Sequence, residues 1–197
     1  MRLIPSAECD EWLAEAGIVS DSDYPYAAEL IFAGVPADLW RAWETPRLAC
    51  DLPHFVSTLM SAAAPTGPFV LRPRGDAPWY TGTEYGDGPL CEQIRDRIVG
   101  TLPIPADYVG AIEFGVGEWR DVQMLLVTFL VYGWCVADDL QVVAGDRSCV
   151  LMTSHHGYVS VRCRDAARLA AFQGEVVALG FPVAGDADLP RVDEAAD

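Results

Sequence analysis

Near the start of the chain, Cys9, Trp12, Leu13 and Ala16 fall at i, i+3, i+4 and i+7, the spacing that places apolar side chains on one face of a helix. Ser6 stands where it caps the first turn and Gly17 where it closes the last. Residues 36–45 predict a second helix, with Pro36 at a first-turn position, Leu39, Trp40 and Trp43 as its apolar side and Pro46 as its stop. A third is expected over 54–64. Between Pro65 and Pro89 the composition shifts to Gly, Pro, Asp and aromatics. That is long for a plain connection and predicts a functional loop or a short strand near 69–71.

Leu90, Ile94 and Ile98 recur every four residues between Pro89 and Gly100, while Glu92, Arg95 and Asp96 point elsewhere, a helix with a solvated face. A strand is expected over 108–114. The near-continuous apolar run of 118–132 is long enough for a buried helix, although its Val, Thr and Phe content leaves a strand open. The clearest β signal is 134–163, where three apolar runs are separated by the turn clusters 144–148 and 154–157. This predicts a three-stranded antiparallel meander. Asp165 then caps a helix bearing Leu169, Phe172, Val176 and Leu179, closed by Gly180. The expected architecture is a single α+β domain over residues 1–183, followed by a flexible acidic tail at 184–197.

Composition sharpens this picture. The chain has 197 residues, 51% of them hydrophobic, with 13 basic residues, all arginine, and 29 acidic ones, for a formal net charge of −16. One sizeable core fits this length. So negative a chain repels nucleic-acid phosphates and anionic membrane surfaces. The first residues contain no apolar signal segment, and the apolar stretch 122–137, interrupted by Gln123, Thr128 and Gly133, falls short of the roughly 20 residues a membrane span needs. A soluble, cytoplasmic protein is expected. Six cysteines, at positions 9, 50, 91, 135, 149 and 163, are spread singly without a CxxC pair, so buried thiols in a reducing compartment are the expected state.

No decisive catalytic motif is present. Neighbouring side chains such as His155 and His156 point in different directions, which disfavours a shared metal ion. His54 near Cys50 and His155 near Cys149 lie outside any recognised nucleophile context, and GxSxG is absent. The glycine pair at 115 and 117 is followed by Glu118 where phosphate would have to sit. No metal or cofactor is expected. Asp138 and Asp139 place one carboxylate on each face of a strand, so one approaches the core and needs hydrogen bonds or an arginine; the alternative is an acidic hot spot for a basic ligand.

The long loop mixes Trp79, Tyr80 and Tyr85 with Glu84 and Asp87. Rigid aromatics supply contact area at small entropic cost, and neighbouring carboxylates steer a basic partner. The plainer reading is that the rings pin the loop to the domain. Glu118 and Asp121, beside Glu113, form a lesser acidic surface, for which complementing a helix macrodipole is a sufficient explanation.

The segment from Val131 to Val143, with Trp134 and the Asp138-Asp139 pair, followed by Leu151 to Val161 with its Ser-His-His-Gly turn, resembles the C-terminal part of small bacterial immunity proteins, which accompany polymorphic or contact-delivered toxins. The resemblance covers residues 107–183. It implies a non-enzymatic protein that neutralises a cognate toxin by direct binding. The residue reading, independent of the resemblance, offers Trp79, Tyr80, Glu84, Tyr85, Asp87, Glu118, Asp121, Asp138 and Asp139 as candidate contacts to a basic site, the aromatics as anchors and the carboxylates as its charged contacts. The alternatives are a small hydrolase using His155 or His156 with Asp138 or Asp139, and a self-assembling structural subunit. If the loop carries the contact, reversing Glu84 and Asp87 together slows association with the partner and flattens its salt dependence, measured by stopped-flow mixing; unchanged rates remove the loop from the interface.

Overall fold

The computed structural model describes residues 1–21, 29–36, 38–65, 67–74, 79, 92–93, 96–97, 102, 104–105, 107–136, 139–154 and 157–185. Among these, nine strands and four helices form two sheets and their covering layers, an α+β architecture. The strands are β1 (Arg2–Pro5), β2 (Ile18–Asp21), β3 (Glu29–Phe32), β4 (Trp40–Glu44), β5 (Phe69–Pro73), β6 (Gly110–Phe114), β7 (Asp139–Ala144), β8 (Cys149–Ser154) and β9 (Tyr158–Cys163). The helices are α1 (Ser6–Ala14), α2 (Leu52–Ala63), α3 (Trp119–Val136) and α4 (Ala166–Ala178). Seven strands form one antiparallel sheet in the order β1-β6-β5-β7-β8-β9-β4, and β2 and β3 form a separate hairpin.

Both faces of the large sheet are covered, which explains why β5, β7 and β8 are buried at every position. Alternation still sorts the side chains by face. Phe69, Leu71, Leu140, Val142, Leu151, Val159 and Val161 join the larger core with α2, α3 and α4. Val70, Ala111, Val143 and Val150 face the other way, into a smaller core with Cys9 and Leu13 of α1 and Ile18, Leu30 and Phe32 of the hairpin. Arg147 ties this second layer down, donating to the Trp12 carbonyl at 2.9 Å with its guanidinium 5.3 Å from the indole centroid.

The expected meander is present as β7, β8 and β9, but its first strand begins at Asp139; residues 134–136 complete α3 instead. The apolar run before it is a helix that breaks at Tyr132 (φ −130°, ψ 24°). Asp165 caps α4 as expected, accepting the Arg168 amide at 2.8 Å, and Leu169, Phe172 and Val176 are buried. α1 starts from Pro5 without a side-chain cap, so Ser6 is its first residue and not its cap. The helix expected over 36–45 is an edge strand, a correction with a clear cause. Trp40, Ala42 and Trp43 register against Arg162, Ser160 and Val159 of β9, and this pairing overrides a spacing that fits either period. The helix expected over 89–100 falls mostly outside the described residues, and so does most of the acidic tail.

Beyond their apolar packing in the larger core, α2 and α4 are tied by one polar side chain. Arg168 donates from Nη2 to the Ala62 and Ala63 carbonyls at 2.5 and 2.8 Å, satisfying acceptors at the α2 C-terminus with a cation where the helix dipole favours one. At the far edge, Gly110 (φ +146°) admits β1: a Cβ there would lie 2.5 Å from the Ile4 carbonyl oxygen and 2.7 Å from the Tyr108 hydroxyl. Gly110→Ala is expected to cost about 2–3 kcal/mol through strain and overlap, read as a lowered urea midpoint.

Candidate functional site

β5 carries Val70 and Arg72 on the face covered by α1 and the hairpin, and Arg74 follows just beyond the strand. Arg72 Nη1 lies 2.7 Å from Asp10 Oδ1 of α1. Arg74 Nη1 lies 2.6 Å from Asp139 Oδ2 at the start of β7, and the Arg74 amide donates to the Asp139 carbonyl at 2.9 Å. Glu29 of β3 stands between two guanidiniums, 3.9 Å from Arg74 and 3.0 Å from Arg162 of β9. Each pair joins the large sheet to the layer above it or joins neighbouring strands. Burial, with the Asp139 and Glu29 charges close by, pushes the Tyr158 phenol above its ordinary range, against a hydrogen bond with Ser154.

The Asp139 side chain is 2% exposed and bound to Arg74, so it is occupied within the fold. Asp139 is therefore a clamp between strands, and its assignment as a partner contact is corrected. Among the described residues, no group of three or more His, Cys, Asp or Glu side chains is placed to hold a metal ion. No helix there is long and apolar enough to cross a membrane.

The other candidate residues are dispersed. Trp79 is fully buried, its indole Nε1 donating to the Gly110 carbonyl at 2.9 Å and its ring set edge-on to Phe129 at 6.3 Å. It is a core residue; as a surface anchor it too is corrected. Glu118 accepts the Gly115 amide at 2.9 Å and is bound to the Met1 ammonium, which together hold its carboxyl below the usual range. It is engaged within the molecule although part-exposed. Asp121 is exposed in the first turn of α3, where the dipole accounts for it. Tyr80, Glu84, Tyr85, Asp87, Asp138, His155 and His156 lie outside the described residues.

An open cleft of ≈ 660 Å³ lies elsewhere, at the sheet edge formed by β4. Its floor is the segment 181–184, which follows α4 and runs beside that edge. Trp43 Nε1 donates to the Phe181 carbonyl at 3.2 Å, and the Ala184 amide donates to the Ala42 carbonyl at 2.9 Å. Phe181 packs on His54 and Phe55 of α2, with centroids 5.3 and 5.1 Å away. Glu44, Arg47, Asp51 and His54 rim the cleft above Phe181, Pro182 and Val183. The result is an apolar floor with a charged rim, suited to a side chain or strand of a partner. Sequence reading missed it because it takes 36–45 as a helix; the available signal was Phe181-Pro182-Val183, an apolar triplet just after the helix stop.

The buried pair is testable. Arg74→Met strands a desolvated carboxylate at Asp139 and is expected to cost about 3–5 kcal/mol, whereas Arg74→Met with Asp139→Leu recovers most of that loss. Urea unfolding of both variants checks this. The Glu118 carboxylate, with its folded pKa depressed, stabilises above its unfolded pKa of about 4.3, and this is lost as pH falls through the lower folded value. Glu118→Gln is accordingly expected to lessen the fall of the melting temperature below about pH 4.

No protein-family model, curated protein or solved structure matches this chain.

Proposed function

We propose that this chain is a non-enzymatic acidic binding protein that neutralises a cognate protein toxin by occupying a basic site on it, as bacterial immunity proteins do. The observation that carries the reading is how charge is sorted between interior and surface. Arg72, Arg74, Arg147, Arg162 and Arg168 are part-buried or buried and spent on internal partners. Glu11, Asp38, Glu44, Asp51, Asp121 and Glu175 are exposed with no ion-pair partner among the described residues. The outward field is negative, and it accelerates encounter with a basic surface while repelling acidic competitors. The cleft beside β4 adds what a field alone lacks, an apolar floor for an anchoring side chain beneath the carboxylates of Glu44 and Asp51.

The resemblance of residues 107–183 to immunity proteins supports the same reading. The hydrolase alternative loses one of its acids, because the Asp139 carboxylate is bound to Arg74 on a covered face.

The test is affinity capture from the source organism's lysate at low and high salt, followed by mass spectrometry, then association kinetics with the recovered protein. A stoichiometric basic partner whose capture weakens with salt is expected, and Glu44→Lys with Asp51→Lys is expected to slow association by about tenfold at low salt. Absence of such a partner at both salts overturns the proposal. An unaltered association rate in the double variant removes the cleft from the interface.

A further inference from the structure

Cys149 and Cys163 are directly opposite each other on β8 and β9. The Arg164 amide donates to the Ser148 carbonyl at 3.1 Å, so the neighbouring pair 148/164 is hydrogen-bonded and the 149/163 pair occupies the adjacent non-hydrogen-bonded site. There the Cα atoms of an antiparallel pair approach to about 4.5 Å, with side chains on the same face. That is inside the range of about 4.4–6.8 Å in which two cysteines can be bridged without moving the backbone. The two Sγ atoms are in fact 3.1 Å apart, both fully buried and both thiols.

Two surrounding features favour reaction. Arg168, fixed by the α2 carbonyls, donates to the Ser148 hydroxyl at 3.2 Å, and that hydroxyl lies 3.7 Å from Cys149 Sγ. The Cys163 contact and the Arg168 charge draw the Cys149 thiol below its ordinary value, against burial and Asp146. Cys163 is pushed up by Cys149 and by burial, with Asp165 raising and Arg168 lowering it. A small cavity of ≈ 90 Å³, lined in part by Phe32, Val35, Pro36 and Leu39, borders Cys163, whose Sγ lies 3.1 Å from that of Cys149. With about 10–15 Å³ needed for one water, it admits water-sized molecules, hydrogen peroxide among them.

We propose that Cys149 and Cys163 form an oxidisable dithiol, a modification site at which hydrogen peroxide converts the pair to a cross-strand disulfide that staples β8 to β9. The Cys149 thiol gives up its proton and its sulfur attacks one peroxide oxygen. The O–O bond breaks, hydroxide leaves and takes that proton as water, and Cys149 becomes a sulfenic acid. Cys163 sulfur then attacks Cys149 sulfur, the S–O bond breaks, and the departing hydroxide takes the Cys163 proton as a second water. Two thiols and one peroxide yield one disulfide and two waters.

The experiment treats the folded full-length protein with a small excess of hydrogen peroxide, quenches with catalase, denatures, alkylates and digests with trypsin. Cleavage after Arg147, Arg162 and Arg164 separates the cysteines into peptide 148–162 and the dipeptide Cys163-Arg164, so a linked product identifies the bridge directly. Linkage is expected, together with a rise in melting temperature of roughly 5–10 °C that dithiothreitol reverses, since the bridge closes a loop across 14 residues. Both sulfurs still carrying the alkyl label after the exposed Cys50 has been consumed overturns the proposal. So does a dithiothreitol-reversible rise that survives Cys149→Ser.

Discussion

Everything in this molecule is hung on β5. It pairs with β6 on one side, through Phe69 to Leu71, and with β7 on the other, from Phe69 to Pro73. Those two ladders join the strands β1 and β6 to the C-terminal meander, and no other strand in the sheet order makes that connection. Because β5 is buried on both faces, its two side-chain sets serve different layers. Phe69 and Leu71 seat the three helices, while Val70 and Arg72 meet α1 and the hairpin. A one-residue slip would exchange the sets and press a guanidinium into the larger core, so the register is strongly specified.

How much of this was legible depended on how local each signal was. The meander reads from the chain because its strands are consecutive and its turns carry their own chemistry, and α4 reads because Asp165 and Gly180 mark its ends. The strands β1, β2 and β3 are four residues each, too short for alternation to emerge. β4 was hidden because Leu39, Trp40 and Trp43 satisfy a helical face as well as a strand, and only its pairing with β9 decides between them.

The candidate site was less legible than the fold, and the reason is physical. Trp79 and Asp139 were conspicuous in sequence because a large aromatic and a paired acid are costly to leave without purpose, but the purpose each serves is internal, one filling the core and the other clamping Arg74. The expectation that one of Asp138 and Asp139 approaches the core and needs hydrogen bonds or an arginine there is met at Asp139 by Arg74. The arginine itself, 65 residues away in sequence, could not have been named. The cleft was invisible for the same reason: its walls come from β4, the start of α2 and the segment after α4.

The absence of lysine bears on the outward charge as well as on the interior. A chain whose only strong cation is arginine has, for its buried carboxylates, a planar donor that is more weakly hydrated than an ammonium and better matched to carboxylate geometry. Here Asp139 and Glu29 draw guanidiniums onto the covered face of the sheet, and Arg168 is drawn to the α2 carbonyls. Each such ion pair withdraws one charge of each sign, so the clamps leave the net charge of −16 untouched. The acids in excess of the arginines, the exposed Glu44 and Asp51 beside the cleft at β4 among them, set the sign of the outward field.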